Sequence, residues 1–237
     1  MPLPADTKLY ALVPAAGIGS RMEAALPKQY LSLHGKTVAE HTLSRLLSLA
    51  AIQEIVVATA ATDLWWPQLA LAHHPRVKSA LGGATRAHSV LAGLEFLSDS
   101  AQDSDWVLVH DMARPCVRLS DIQLLLEAAS PAGAILALPV TDTVKQARPD
   151  TTAIHSTVPR EHLWRALTPQ LFPIGLLREA LRNALAKNLE VTDEASAVEL
   201  QGYQPVLVPG QPDNIKITVA ADLPLARFYL QQQGESL

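Results

Sequence analysis

The chain has 237 residues, of which 49% are apolar and 18% are charged, a composition typical of a globular protein with one sizeable core. Its formal net charge of −4 contrasts with the basic excess of most nucleic-acid-binding domains, so we expect no nucleic-acid partner. The single cysteine, Cys116, excludes an internal disulfide and a multi-cysteine zinc site. We see no signal peptide and no apolar run of about 18 residues, so we expect a cytoplasmic protein without a membrane partner.

Short apolar runs alternate with helical patterns along the chain. The predicted strands are LYALVPA from Leu9, EIVVATA from Glu54, DWVLVHD from Asp105, GAILALPV from Gly133 and QPVLVPG from Gln204. The predicted helices are TVAEHTLSRLLSLA from Thr37, ATRAHSVLAGLEFL from Ala84, SDIQLLLEAA with Ser120 or Asp121 as its N-cap, GLLREALRNALAK from Gly175, TDEASAVELQ from Thr192 and AADLPLARFYLQQQ from Ala220. This alternation predicts one α/β domain over residues 1–237, with a mostly parallel sheet between two layers of helices.

The alternation breaks between Thr141 and Thr168. This segment is polar, and its two short β-like runs cover Thr143–Gln146 and Ala153–Val158. We predict that it leaves the sheet as a protruding β-arm at about residues 141–165. Because a two-stranded arm is marginally stable alone in water, we expect it to pack on another surface, such as a second subunit.

The stretch from Leu12 to Tyr30, LVPAAGIGSRMEAALPKQY, places small residues and two cations just after an apolar strand. Small residues allow backbone N–H groups to approach a phosphate chain, and Arg21 and Lys28 would add charge-assisted contacts. The stretch contains only part of the dinucleotide fingerprint, in Gly17-x-Gly19, and no P-loop motif. A tight turn beside two solvated cations is the alternative, and the pattern alone leaves both open.

Asp111 follows the buried strand that ends in LVHD. Ligands bind at this carboxyl edge in open parallel sheets, and one aspartate beside a triphosphate is typical of a Mg²⁺ site. The alternative is a turn-capping aspartate paired with Arg114. A second glycine-containing segment, GGATRAHSV from Gly82, carries Arg86 and Ser89, and by itself it indicates only a loop that leads into a helix.

Seven motifs occur together in order: PAAGIGSRMEAALPKQY, GGATRAHSVLAGL, VHDMARPC, DTVKQA, LWRALTPQ, TDEASAVE and DNIKIT. With this set the chain, from about Leu9 to Tyr229, closely resembles the 2-C-methyl-D-erythritol 4-phosphate cytidylyltransferase family of the non-mevalonate isoprenoid pathway. The resemblance implies a Rossmann-like nucleotidyltransferase fold, a homodimer that exchanges β-arms, and Mg²⁺. It also implies the reaction of CTP with methylerythritol phosphate to give the diphosphocytidyl product and pyrophosphate.

The resemblance further assigns residues to roles. It implies that CTP is bound by Pro14, Ala15, Ala16, Gly17, Gly19, Gly82, Gly83, Ser89 and Asp111, with Asp111 also as the Mg²⁺ ligand. The implied catalytic residues are Arg21, Lys28, Arg160 and Lys216. The implied contacts to methylerythritol phosphate are Arg114, Thr143, Arg160, Thr168 and Lys216.

Three positions depart from the family pattern: Ala84 where some members carry aspartate, Met112 where alanine is usual, and Pro159 where aspartate often precedes the arginine of the arm. They bear on substrate contacts and leave the reaction class unchanged. Three other functions stay open on sequence grounds. These are a cytidylyltransferase for another polyol phosphate such as ribitol 5-phosphate, a regulatory module that binds CTP without turnover, and a structural homodimer without a ligand.

Overall fold

The computed structural model describes residues 3–4, 6–17 and 26–234. The strands are β1 Leu9–Pro14, β2 Ser32–Leu33, β3 Lys36–Thr37, β4 Ile52–Thr59, β5 Val77–Leu81, β6 Trp106–Val109, β7 Ala134–Pro139, β8 Val144–Ala147, β9 Ile154–Val158, β10 Trp164–Pro173 and β11 Val206–Pro209. The helices are α1 Val38–Leu47, α2 Arg86–Leu97, α3 Leu119–Glu127, α4 Ile174–Ala186, α5 Glu194–Glu199 and α6 Asp222–Gln232. None of these helices is long and apolar enough to cross a membrane.

Seven strands form the central sheet in the order β11-β7-β10-β6-β1-β4-β5. All neighbouring pairs are parallel except those of β10, which runs antiparallel to both β6 and β7. The predicted α/β fold with a mostly parallel sheet is therefore confirmed. A parallel sheet aligns the carboxyl ends of its strands along one edge, and this edge positions the candidate site.

Helices cover both faces of the sheet, and β1 shows how its sequence serves both. Leu9, Ala11 and Val13 belong to the apolar cluster that includes residues of α1 and α3. Tyr10 and Leu12 belong to the opposite cluster, which includes residues of α2, α4 and α5. Because successive side chains of a strand point to opposite faces, a run without polar residues is what a doubly covered strand requires.

Helix α1 has the start that its sequence predicts, whereas α3 does not. The hydroxyl of Thr37 accepts the N–H of Glu40 at 3.1 Å, and the carboxylate of Glu40 accepts the N–H of Thr37 at 2.7 Å, which completes a capping box. The N-cap of α3 is Arg118, so the prediction of Ser120 or Asp121 was wrong. The carboxylate of Asp121 is buried and accepts the N–H of Gln211 instead, at 3.2 Å.

Strand β10 corrects the predicted extent of the excursion. The arm consists of β8 and β9, which pair with each other antiparallel, from Val144 opposite Val158. Residues 164–168 belong instead to the central sheet. The sequence did not predict β10 because its first residues are exposed and lack the apolar pattern of a buried strand. Strand β5 was not predicted either, since its VKSAL sequence is only partly apolar.

Candidate active site

A cleft of about 400 Å³ opens at the carboxyl edge of the sheet. Its walls come from the segment after β1, the turn at Lys28, the loop that leads into α2, the segment after β6, and the segment that holds Lys216. The lining residues are Pro14, Ala15, Ala16, Gly17, Lys28, Gln29, Gly83, Ala84, Thr85, Arg86, Ser89, Asp111, Met112, Ala113 and Lys216. Most of the residues that the sequence assigns to CTP therefore lie around one cavity.

The segment after β1 is held against the sheet by hydrogen bonds. The N–H of Ala15 donates to the carbonyl oxygen of Ala58 at 2.8 Å. The amide of Gln29 donates to the carbonyl oxygens of Ala15 and Gly17 at 3.3 and 3.4 Å. Among the described residues other than its chain neighbours, no atom lies within 4 Å of the place where a Cβ on Gly17 would stand, so these residues leave room for a ligand there. Gly19 and Arg21, which the sequence also assigns to this loop, lie outside the described residues.

The two glycines before α2 are required by packing. A Cβ on Gly82 would lie 2.6 Å from the Cβ of Ala16, and a Cβ on Gly83 would lie 2.4 Å from that of His88. The hydroxyl of Ser89 accepts the N–H of Gly83 at 3.1 Å, which holds the loop onto the first turn of α2. The glycines thus allow two walls of the cleft to meet.

Asp111 lies at the end of β6 among three cations. Its Oδ1 accepts the Nε–H of Arg86 at 3.0 Å. Its Oδ2 lies 2.8 Å from the Nζ of Lys216 and 3.5 Å from the Nε of Arg114. Burial alone would raise the pKa of Asp111, but Arg86, Lys216 and Arg114 hold it well below its ordinary value. Asp111 is therefore an ionised carboxylate that organises the positive charge of the cleft.

The two lysines predicted to be catalytic come together although 188 positions separate them. Both line the cleft, and the Nζ of Lys28 donates to the carbonyl oxygen of Ile217 at 2.9 Å, next to Lys216. The segment after β11 thus positions both ammonium groups. Two cations beside an open, small-residue loop can bind a phosphate chain.

Sequence reasoning left one pair of site residues unassigned. Both terminal nitrogens of Arg86 donate to the carboxylate of Glu194, at 2.6 and 3.0 Å, while its Nε donates to Asp111. Glu194 is only 1% exposed and opens helix α5. Burial alone would lower the pKa of Arg86, but Glu194 and Asp111 raise it on balance, so the guanidinium stays charged. The only local signal was a cation at the start of a helix.

Thr168 and Arg114, both predicted to contact substrate, are buried below the cleft and do not line it. The hydroxyl of Thr168 accepts the N–H of Asp111 at 3.0 Å and lies 2.9 Å from Nδ1 of His110, whose Nε2 lies 3.1 Å from the carbonyl oxygen of Arg114. Burial is the main reason that the pKa of His110 falls to about 4, so its ring is neutral. Arg114 donates to the carbonyl oxygen of Asn214 at 2.7 Å.

The arm residues Thr143 and Arg160 are exposed and do not line the cleft of their own chain. The guanidinium of Arg160 donates to the carbonyl oxygen of Thr141, close to the base of the arm. Of the departures from the family pattern, Ala84 lines the cleft. Met112 lines it too but is only 4% exposed, since it packs into the core cluster of α1 and α3.

The described residues contain no group of three or more His, Cys, Asp or Glu side chains placed to hold a metal. A cationic cleft at the carboxyl edge of this sheet is suited to binding a nucleotide phosphate chain. This fold and site define the class of α/β nucleotidyltransferases.

The comparisons with known proteins identify the family within this class. The chain belongs to the family IspD, 2-C-methyl-D-erythritol 4-phosphate cytidylyltransferase, whose pattern it matches over residues 9–232. A protein of that name from Actinobacillus pleuropneumoniae serotype 7 (strain AP76) is 53% identical over 228 residues, which are 96% of this chain and 98% of that protein. Another from Vibrio vulnificus (strain CMCP6) is 52% identical over 97% of each chain.

Solved structures agree. The crystal structure of the Francisella tularensis protein of this name has a TM-score of 0.82 and 37% identity, and it covers 94% of this chain and all of that one. The crystal structure of the protein of this name from Thermus thermophilus has a TM-score of 0.75 and 33% identity, and it covers 95% of this chain and all of that one. The family and the nucleotidyltransferase fold named by the sequence resemblance are confirmed.

Proposed function

We propose that the residues of the cleft carry out the reaction of the family, in which the CMP moiety of CTP is transferred to 2-C-methyl-D-erythritol 4-phosphate with release of pyrophosphate. One observation carries the assignment: Lys28, Lys216 and Arg86 converge with Asp111 on a cavity beside an open small-residue loop. Because CTP is a cytoplasmic nucleotide, we also propose that the chain acts in the cytoplasm.

The CTP half of the site is assigned to the two loops that meet at Ala16 and Gly82. The triphosphate is placed along Pro14–Gly17, which lines the cleft and where no described residue beyond its chain neighbours fills the position of a Cβ on Gly17. The base is placed against Gly83 and Ser89, whose mutual hydrogen bond fixes the opposite wall. Gly19 and Arg21 extend the phosphate-binding loop in this proposal.

The chemistry requires positive charge more than a general base. The attacking group is an oxygen of the substrate's own phosphate, which is already anionic at neutral pH. Lys28, Lys216 and Arg21 offset its repulsion from the triphosphate and stabilise the charge that develops on the leaving pyrophosphate. Holding the two phosphates in line supplies much of the remaining acceleration. His110 is neutral, buried and hydrogen-bonded at both ring nitrogens, so we assign it no proton-transfer role.

Mg²⁺ fits this site as a companion of the nucleotide. Asp111 is a single ionised carboxylate at the cleft, and Mg²⁺ binds through one or two carboxylates together with phosphate oxygens and water. When bound, the ion would neutralise phosphate charge and polarise the α-phosphate. Asp111 is the residue that would hold it, while Arg86 donates to one of its oxygens, Oδ1, and would compete with the ion there.

The methylerythritol phosphate half is assigned to Lys216 and to the arm. Thr143 and Arg160 do not line the cleft of their own chain, and an arm of two strands needs a surface on which to pack. We therefore assign them to the cleft of a second subunit in a homodimer. Arg114 and Thr168, which are buried below the cleft, support its floor and are placed near the same substrate. A monomer in sedimentation at micromolar concentration would contradict this arrangement.

The test is pyrophosphate release from CTP and Mg²⁺ with methylerythritol phosphate, ribitol 5-phosphate or no acceptor. We expect fast release with methylerythritol phosphate only, and its loss in Lys28→Ala. Release with ribitol 5-phosphate alone would keep the CTP site and overturn the assignment of the arm. CTP binding without release for either acceptor would indicate a binding protein.

A further inference from the structure

Arg86 divides its hydrogen bonds between two carboxylates in an unequal way. Both terminal nitrogens contact Glu194, at 2.6 and 3.0 Å, and only Nε contacts Asp111, at 3.0 Å. A bidentate arginine–carboxylate pair is the stronger and more directional arrangement. Arg86 is thus held mainly by Glu194, although Asp111 is the residue that the reaction uses.

The residues before and after Glu194 are both hydrogen-bonded to one side chain of the central sheet. Gln170 on β10 donates through Nε2 to the carboxylate of Asp193 at 2.8 Å. Its Oε1 accepts the N–H of Ala195 at 2.9 Å. Residues 193 and 195 are therefore both tied to one side chain, and Glu194 between them projects its carboxylate to Arg86. This contact gives a role to two motifs, LTPQ and TDEAS, beyond those assigned above.

The balance of charge shows why this arrangement matters. Asp111 contacts Arg86, Arg114 and Lys216, so three positive charges surround one negative charge. Glu194 offsets one of them. Without it, the terminal nitrogens of Arg86 would be left without their partner and would turn to the nearest carboxylate, Asp111. With two nitrogens of Arg86 hydrogen-bonded to it, Asp111 would bind a divalent cation less well.

We propose that Glu194 is a positioning residue for the metal ligand: by holding both terminal nitrogens of Arg86, it limits Arg86 to a single hydrogen bond with Asp111 and so lessens the competition that a divalent cation arriving with CTP meets at this carboxylate. The inference rests on the proposed role of Asp111. It adds a buried residue with no place in the cleft lining, acting through Arg86.

The experiment measures CTP binding by titration calorimetry in EDTA and at a series of Mg²⁺ concentrations, for the parent chain and Glu194→Gln. In the variant, CTP affinity in EDTA is expected to stay close to that of the parent. The Mg²⁺ concentration that gives half of the Mg²⁺-dependent gain in CTP affinity is expected to rise about 10–100-fold, the usual effect of losing a group that orients a metal ligand. The matched control is Glu95→Gln. Glu95 lies on α2, the helix of Arg86, and the variant removes its bidentate pair with Arg182 at the surface.

The double variant Arg86→Gln with Glu194→Gln separates positioning from plain stability. It removes the competing cation together with its partner, so its Mg²⁺ requirement is expected to return toward that of the parent. If Glu194→Gln does not fold, the double variant decides alone, and a Mg²⁺ requirement raised tenfold or more there would overturn the proposal. An unchanged Mg²⁺ requirement in folded Glu194→Gln would overturn it too, as would CTP affinity that falls equally with and without Mg²⁺.

A failure of the underlying function has a different signature. If the parent chain itself binds CTP with no gain from Mg²⁺, the metal role of Asp111 fails, and the role of Glu194 fails with it. If the parent shows the gain and the variant keeps it, only the role of Glu194 is wrong.

Discussion

The cleft and the β-arm carry the residues assigned to the reaction, and the fold fixes them to very different degrees. In the cleft, Asp111 has Arg86, Arg114 and Lys216 as partners and is 6% exposed. In the arm, Thr143 and Arg160 are exposed, and within the described part of the chain β8 and β9 pair only with each other. The contrast indicates that one chain orders the cleft by its own contacts, and in the dimer proposed above the arm packs on a second subunit.

The largest expected effect on activity comes from removing the charge of Asp111 in the cleft. Asp111→Asn keeps the shape of the side chain but removes the charge that holds three cations. We expect kcat/KM for pyrophosphate release to fall about 10²–10³-fold, as for loss of one preorganised electrostatic contact. Asp99→Asn, an exposed carboxylate at the end of α2, is the control and should leave the rate unchanged. Retention of most activity in Asp111→Asn would remove Asp111 from the mechanism.

A complementation experiment tests whether the two halves come from different chains. Arg160→Ala alters the arm and Lys216→Ala alters the cleft, and each alone should lose most activity. After mixing under conditions of subunit exchange, half of the dimers are mixed, and each mixed dimer has one intact site. We therefore expect recovery to about a quarter of the parent activity. No recovery, in a sample that exchanges subunits, would mean that each arm serves its own cleft.

The buried histidine under the cleft, His110, should make the stability of the chain depend on pH. The pKa of His110 is about 4 in the folded protein and near 6.5 when the chain is unfolded. Below pH 6.5 the unfolded chain binds a proton that the folded one does not, so stability is present above that pH and is lost as the pH falls toward 4. We expect a loss of about 3 kcal/mol in the free energy of unfolding. Urea unfolding across this range measures it, and His110→Asn should flatten the dependence.

The smallest effect compares packing in the two regions. Gly82→Ala places a methyl group 2.6 Å from the Cβ of Ala16, so we expect a loss of about 1–3 kcal/mol of stability. Ala153→Ser adds one atom to the exposed arm and should change stability by less than about 0.5 kcal/mol. Thermal unfolding of both variants is the measurement. Equal Tm values would show that the segments of Gly82 and Ala16 can move apart to accept the methyl group.

Local signals in the sequence predicted what local physics determines. The helical pattern from Thr37 and the apolar runs of β1 and β6 identify elements directly, and the strand end before Asp111 identifies the edge of the site. Strand β10 was not predicted because its exposed first residues resemble a loop. Its place between β6 and β7 depends on pairing with distant strands.

The site divides in the same way. The small-residue loop and the cations near it are visible as patterns along the chain. The pairing of Arg86 with Glu194 joins residues 108 positions apart, and the burial of a glutamate has no signature in its neighbours. The same holds for Arg114 and Thr168, whose side chains the fold places below the cleft.

The structure at the base of the arm bears on how far the length of the arm can vary. Strands β7 and β10 are antiparallel neighbours, with Pro139 opposite Trp164, and the N–H of Val140 donates to the carbonyl oxygen of Leu163 at 2.9 Å. The arm is therefore the extended loop of a β-hairpin, and its two ends already meet. Because closing a longer or shorter loop between fixed ends changes the free energy only slowly with length, this excursion can grow, shrink or be exchanged while the sheet and the nucleotide cleft keep their geometry.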